Sequence, residues 1–178
     1  MANKIIKSKI TTETTGSAGG SVVTTVSNAV ARYNNQITRP TGTTQYSIGD
    51  ALSSATSGVF VISLGTNLYG KVIRGGTLTS SKASGLSGTI YVSASNPGSI
   101  TDNDPYNPSA VVMQTRVGGM SLGTGNTSTA PQVWHRCFVD SDIFIPAGVT
   151  TIYCTLVFSA LYTPDASQTF TLTVDVIE

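Results

Sequence analysis

Gly119-Met120-Ser121-Leu122-Gly123 matches the G-x-S-x-G pattern, in which a serine on a sharp strand-to-helix turn becomes a nucleophile. The base it needs would be His135, the only histidine in the chain. Such an elbow requires a helix after the serine, and Thr124 to Pro131 carries no helix-forming residues in phase. The segment therefore reads as a glycine loop, and no enzyme is expected. Asp102 with Asp104, and Asp140 with Asp142, are spaced like the opening of a Ca²⁺ loop. Neither pair has a third carboxylate or the required glycine, so both read as turn caps, and no metal or cofactor is expected. His135 stands between Trp134 and Arg136 with no Cys or His at zinc-ligand spacing. Trp134, Tyr106 and Tyr162 are the aromatics from which a sugar-binding platform would be built; core or inter-subunit packing is the other reading of each. Asn126-Thr127-Ser128 fits a glycosylation sequon, which has no meaning without secretion.

The composition narrows the field of functions. Charged residues are 11% of the 178, against roughly a quarter in an ordinary soluble domain. Hydroxyl residues, 27 Thr and 22 Ser, fill the gap. With 39% hydrophobic residues and a mean hydropathy of +0.12, the chain is not a charged disordered tail. A net charge of +1 gives no electrostatic case for nucleic acid or an anionic membrane as partner. No apolar run approaches the ~18 residues of a membrane span. Met1 to Ile10 carries Lys4, Lys7 and Lys9 but no apolar h-region, so synthesis in the cytoplasm without secretion is expected. Cys137 and Cys154 are too few for a disulfide framework. Cys154 shares the apolar face of Ile152-Tyr153-Cys154-Thr155-Leu156, so a buried free thiol is expected; whether the two cysteines pair stays open.

The elements that would position these residues are strands. Residues 1–20 read as an N-terminal arm ending in a Thr/Gly/Ser hinge, and 21–178 as one domain. Ser21 to Tyr33 fits either period and is taken as a strand for its β-branched content. Val59 to Leu64 is a continuous apolar run, suited to a strand buried on both faces. Leu68 to Thr79 reads as a strand interrupted at Gly75-Gly76 by a tight turn or bulge. Thr89 to Ser95 and Thr169 to Ile177 alternate with period 2, and Val133 to Val139 and Thr150 to Leu161 are further strands. Residues 96–109 form a loop, Ala110 to Val117 a strand, and Gly118 to Pro131 a second loop. About eight strands without a convincing helix predict an all-β fold, an antiparallel β-sandwich of jelly-roll type with an extended N-terminal arm.

The most structured corner is Thr38 to Asp50. Pro40 stops the preceding strand, and Gly42 and Gly49 supply the freedom for two bends. Tyr46 and Ile48 alternate as a half-buried strand, and Asp50 is placed to accept backbone N–H bonds. Arg39, Pro40, Tyr46, Gly49 and Asp50 resemble, with one residue more between Pro40 and Thr44, the Arg-Pro-x-x-Thr-x-Tyr-x-x-Gly-Asp motif of a family of small structural proteins of tailed bacteriophages. The likeness continues in Ile90 to Pro97, in Asp102 to Ser109 and in Tyr153 to Pro164, in the family's order. The Ser/Thr-rich first 35 residues and the glycine-rich stretch 118–130 depart from the family pattern, so head and tail locations both stay open.

The resemblance implies a virion structural protein without chemistry, foremost a capsid decoration (cement) protein on the phage head. Its implied partners are the major capsid protein and further copies of itself, as a trimer or dimer, with Lys4, Lys7 and Lys9 of the arm available for docking. The alternative is a carbohydrate- or receptor-binding module of a tail or head fibre, working through Trp134, Tyr106 and Tyr162.

Overall fold

The computed structural model describes residues 30–56, 58–82, 85–129 and 132–177. The arm 1–20, its three lysines and most of the segment 21–33 lie outside the described residues. Among the described residues there are nine strands: β1 (Val30–Thr38), β2 (Phe60–Ser63), β3 (Lys71–Ser80), β4 (Gly88–Ser93), β5 (Arg116–Thr129), β6 (Gln132–Phe138), β7 (Ile143–Ile145), β8 (Thr151–Phe158) and β9 (Thr169–Ile177). One short helix, α1 (Ala110–Gln114), joins them.

Every ladder is antiparallel, and the strands form one sheet in the order β1-β9-β3-β6-β5-β4-β8-β2, with β7 also on β3. The two ends of this order meet: the Val61 N–H of β2 donates to Asn35 Oδ1 of β1 at 3.2 Å. The sheet is thereby curled into a nearly closed barrel. Closure covers the edges that an open sheet would expose. The all-β antiparallel architecture expected from sequence is the one adopted. It is one continuous sheet, and its strand order does not establish a jelly roll.

Alternation decides which side chains fill the barrel. In β9, Phe170, Leu172, Val174 and Val176 point inward while Thr169, Thr171, Thr173 and Asp175 point out, as their spacing requires. Tyr33 and Ile37 of β1, Ile73 and Leu78 of β3, Ile90 and Val92 of β4, and Ile152, Leu156 and Phe158 of β8 complete one core. The bulge expected near Gly75-Gly76 is present: β3 shifts register against β9 between Ile73 and Gly75. It falls where β3 exchanges partners, β7 lying along Lys71–Ile73 and β6 along Gly76–Ser80.

Four expectations change. The run at 59–64 is not buried on both faces, because β2 lies in the barrel wall with Phe60 and Ile62 inward and Val61 exposed on the outside. Ile48 lies outside the core, exposed on the corner. Residues 110–117 begin as α1 and not as a strand. Ser109 Oγ accepts the Val112 N–H (3.4 Å) and Thr115 Oγ1 donates to the Val111 carbonyl (2.9 Å), so local caps override β-branched propensity over one turn. The segment 118–131 belongs largely to β5, which lacks a periodic pattern because neighbouring side chains lie over its glycines. A Cβ at Gly118 would stand 2.7 Å from Ile143, and one at Gly125 2.6 Å from His135. The three-residue strand β7 was too short to carry a sequence signal.

Two glycine substitutions separate these constraints. A Cβ on Gly76 would be driven into the Thr173 carbonyl of β9, whereas Gly42 has open space around it. Gly76→Ala is expected to lose about 1–3 kcal/mol as an overpacked site, and Gly42→Ala to be neutral or to gain about 0.4–1 kcal/mol through the unfolded chain. Urea denaturation of the two variants checks this; equal midpoints would contradict the packing of β3 on β9.

Candidate functional site

The corner predicted from sequence is joined by a network of side-chain hydrogen bonds. Arg39 follows the end of β1 and is only 2% exposed. Its Nε donates to Tyr46 Oη (3.0 Å), its Nη2 to Asp102 Oδ2 (2.9 Å), and its Nη1 to the carbonyls of Asp165 (3.2 Å) and Gly42. Tyr46 Oη donates to Asp102 Oδ1 (2.6 Å), which also accepts the Ser53 N–H (2.9 Å). Burial of a guanidinium requires this density of acceptors, since an unpaired charge there would cost several kcal/mol. Burial first, and then the hydrogen bond to the Asp102 carboxylate, raises the Tyr46 phenol above its ordinary value.

The rest of the corner locks onto the same node. The Tyr46 ring stacks on Phe158 at 4.2 Å, and Phe158 on Tyr162 at 5.3 Å. Tyr46 and Tyr162 exchange backbone hydrogen bonds (2.8 and 3.3 Å). Gly49 has φ +94°, open to glycine at little cost, and Asp50 accepts the Ser47 N–H at 2.6 Å. The Pro40 carbonyl accepts the Ser167 N–H (3.2 Å). Arg39, Pro40, Tyr46, Gly49 and Asp50 are thus brought together. Asp102, read from sequence as a turn cap, is instead the anion of the node. A lone arginine beside a proline in a charge-poor chain signals that some acid must answer it, but not which.

The residues considered for chemistry are not assembled for it. Ser121 is exposed within β5, not on a strand-to-helix turn. His135 is fully buried in β6. Its Nε2 accepts the Leu86 N–H (3.4 Å), so its Nδ1 carries the hydrogen and donates to the Gly123 carbonyl (3.0 Å). Asp142 forms an exposed ion pair with Arg74 (3.4 Å). Among the described residues no three His, Cys, Asp or Glu side chains gather as metal ligands. Cys137 and Cys154 are both free and buried; burial pushes the Cys137 thiol up to about 12 and raises Cys154 as well.

The three aromatics of the sugar-platform reading lie in three environments. Tyr162 is buried against Phe158. Tyr106 is half-buried and stacked on Tyr91 (5.6 Å), whose ring also carries the Arg116 guanidinium (3.8 Å). Trp134 is 39% exposed on the outer face of β6.

Beside Trp134 the barrel surface is concave. A hollow of about 340 Å³ lies there, with Gly75 and Gly76 of the bulge in its lining. Arg32, Arg74 and Arg136 surround it together with Asp175, Trp134 and Phe138. Arg32 pairs with Asp175 at 2.9 Å. No protein-family model, curated protein or solved structure matches the chain.

Two predictions follow from the node and the buried protons. Asp102→Ala and Arg39→Ala should each cost about 3–5 kcal/mol, because each strands a buried charge or its acceptors. The double variant should cost clearly less than their sum, which a denaturation-based double-mutant cycle measures. The native state also holds protons on Cys137, Cys154 and Tyr46 that the unfolded chain releases from about pH 8.5 and pH 10 upward. Stability is therefore intact below pH 8 and falls as pH rises beyond it. Tyr46→Phe should flatten the part of this fall above pH 10, as measured by urea midpoints across the alkaline range.

Proposed function

We propose that the chain is a structural protein of a tailed-phage virion, foremost a decoration protein that binds the assembled head and stabilises it. The observation that carries this reading is the barrel's outer surface. It is poor in charge, yet its strands present Val61, Trp134, Phe138 and Phe144 to solvent. Aromatic side chains exposed on rigid strands suit subunit contact, where burial of each contributes and little ordering entropy is lost. The resemblance adds support of a different kind: Arg39, Tyr46 and Asp50, which carry its leading motif, hold the corner together through hydrogen bonds. In this reading the partners are the major capsid protein and further copies of the chain in a closed trimer or dimer, and the location is the head surface. Residues 1–20, with Lys4, Lys7 and Lys9, supply an additional docking strap.

The test is addition of the purified protein to phage heads assembled without it. Bound protein should raise the temperature at which the heads rupture, and removal of residues 1–20 should weaken binding while leaving the unfolding transition of the barrel in place. Heads that neither bind the protein nor gain heat resistance would overturn the decoration reading.

A further inference from the structure

Three of the five arginines in a chain with 11% charged residues surround one hollow. Of the other two, Arg39 is consumed in the buried node and Arg116 lies over the Tyr91 ring. Arg136 has no carboxylate partner among the described residues; its guanidinium stands 5.8 Å from the Phe138 ring centre. Arg74 is held only by Asp142, at 3.4 Å, with both side chains more than half exposed. Such an exposed pair is worth little and yields readily to a better acceptor. The guanidinium fork is matched to a carboxylate, which it binds bidentately.

The remaining walls select among carboxylates. Gly75 and Gly76 of the bulge line the hollow and are themselves buried: a Cβ on Gly75 would meet the Cys137 carbonyl at 2.8 Å and one on Gly76 the Thr173 carbonyl, and Gly75 at φ +145° keeps it glycine. Thr77 pairs across the ladder with Arg136 and offers a hydroxyl beside it. Asp175, fixed by Arg32, supplies acceptor oxygens for a ligand's hydroxyls. Trp134 presents an aromatic surface at the side. A volume of about 340 Å³ is at the small end of ligand pockets, roughly 300–1,000 Å³. Acceptor and hydroxyl groups at Asp175 and Thr77, an aromatic face at Trp134 and a fork for one carboxylate together match the parts of an acidic sugar: its hydroxyls, its apolar ring face and its carboxylate.

We propose that the hollow over the Gly75-Gly76 bulge binds a carboxylate-bearing sugar, a uronic-acid unit of an acidic saccharide, with Arg136 and Arg74 on the carboxylate and Trp134 against the ring. This site does not depend on the virion reading and would stand in a chain that never enters a particle. Trp134 is the only tryptophan, so its fluorescence reports the hollow alone.

The experiment is a fluorescence titration of the full chain with tri-galacturonate, with maltotriose as the neutral control and hexaglutamate as the acidic-peptide control. A saturable change with tri-galacturonate, weakened by added salt and absent with maltotriose, is expected. Arg136→Gln should weaken binding about tenfold or more, Arg136→Lys less, and Arg116→Gln, away from the hollow, not at all. Thermal unfolding of each variant establishes that it folds. No response to tri-galacturonate, an equal response to maltotriose, or tighter binding of hexaglutamate would each overturn the proposal, the last in favour of an acidic protein segment.

Discussion

A buried arginine that must be satisfied on all sides organises this barrel. Arg39 sits where β1 ends, and its acceptors come from chain segments that are far apart in sequence: Gly42 and Tyr46, Asp102, and Asp165. None of these partners belongs to a regular ladder. The guanidinium therefore fixes what strand pairing cannot, namely how the long loop after β4 and the turn before β9 close over one end of the barrel. Replacing such a network with apolar residues could be equally stable. What the polar version adds is direction, because the hydrogen bonds to Tyr46 and Asp102 are met in one arrangement of the loops.

Much of this was legible in the residues, for identifiable reasons. β9 and β4 alternate cleanly because one face is core and the other solvent. The corner announced itself through Pro40, Gly49 and Asp50, each with a local backbone role. What escaped was whatever depends on distant partners. β5 hides its strand character because its glycines make room for Ile143 and His135 from neighbouring strands. α1 escaped because one N-cap serine and one threonine outweighed two adjacent valines over a single turn. Asp102 could be recognised as special only once Arg39 was known to be buried. The hollow is the same kind of case: Arg32, Arg74 and Arg136 lie on three different strands and meet only through the β1-β9-β3-β6 register.

The distribution of charge links fold to function. The outer face of the barrel carries pairs of hydroxyl residues, with Thr77 opposite Thr173 and Thr79 opposite Thr171 on adjacent strands. Such a surface can be covered by a neighbour without stranding buried charges, which suits a protein that works inside an assembly. Against that background the hollow brings Arg32, Arg74 and Arg136 to one concave site. A nearly closed barrel with an internal ion pair offers both features on one frame.

The central functional claim, membership of a virion in quantity, is tested most directly by counting. Quantitative mass spectrometry of purified particles gives the number of copies of this chain per major capsid subunit. The decoration reading predicts hundreds of copies per particle, comparable with the capsid protein itself. A dozen or so would move the chain to a tail or fibre, and absence from the particle would contradict the account.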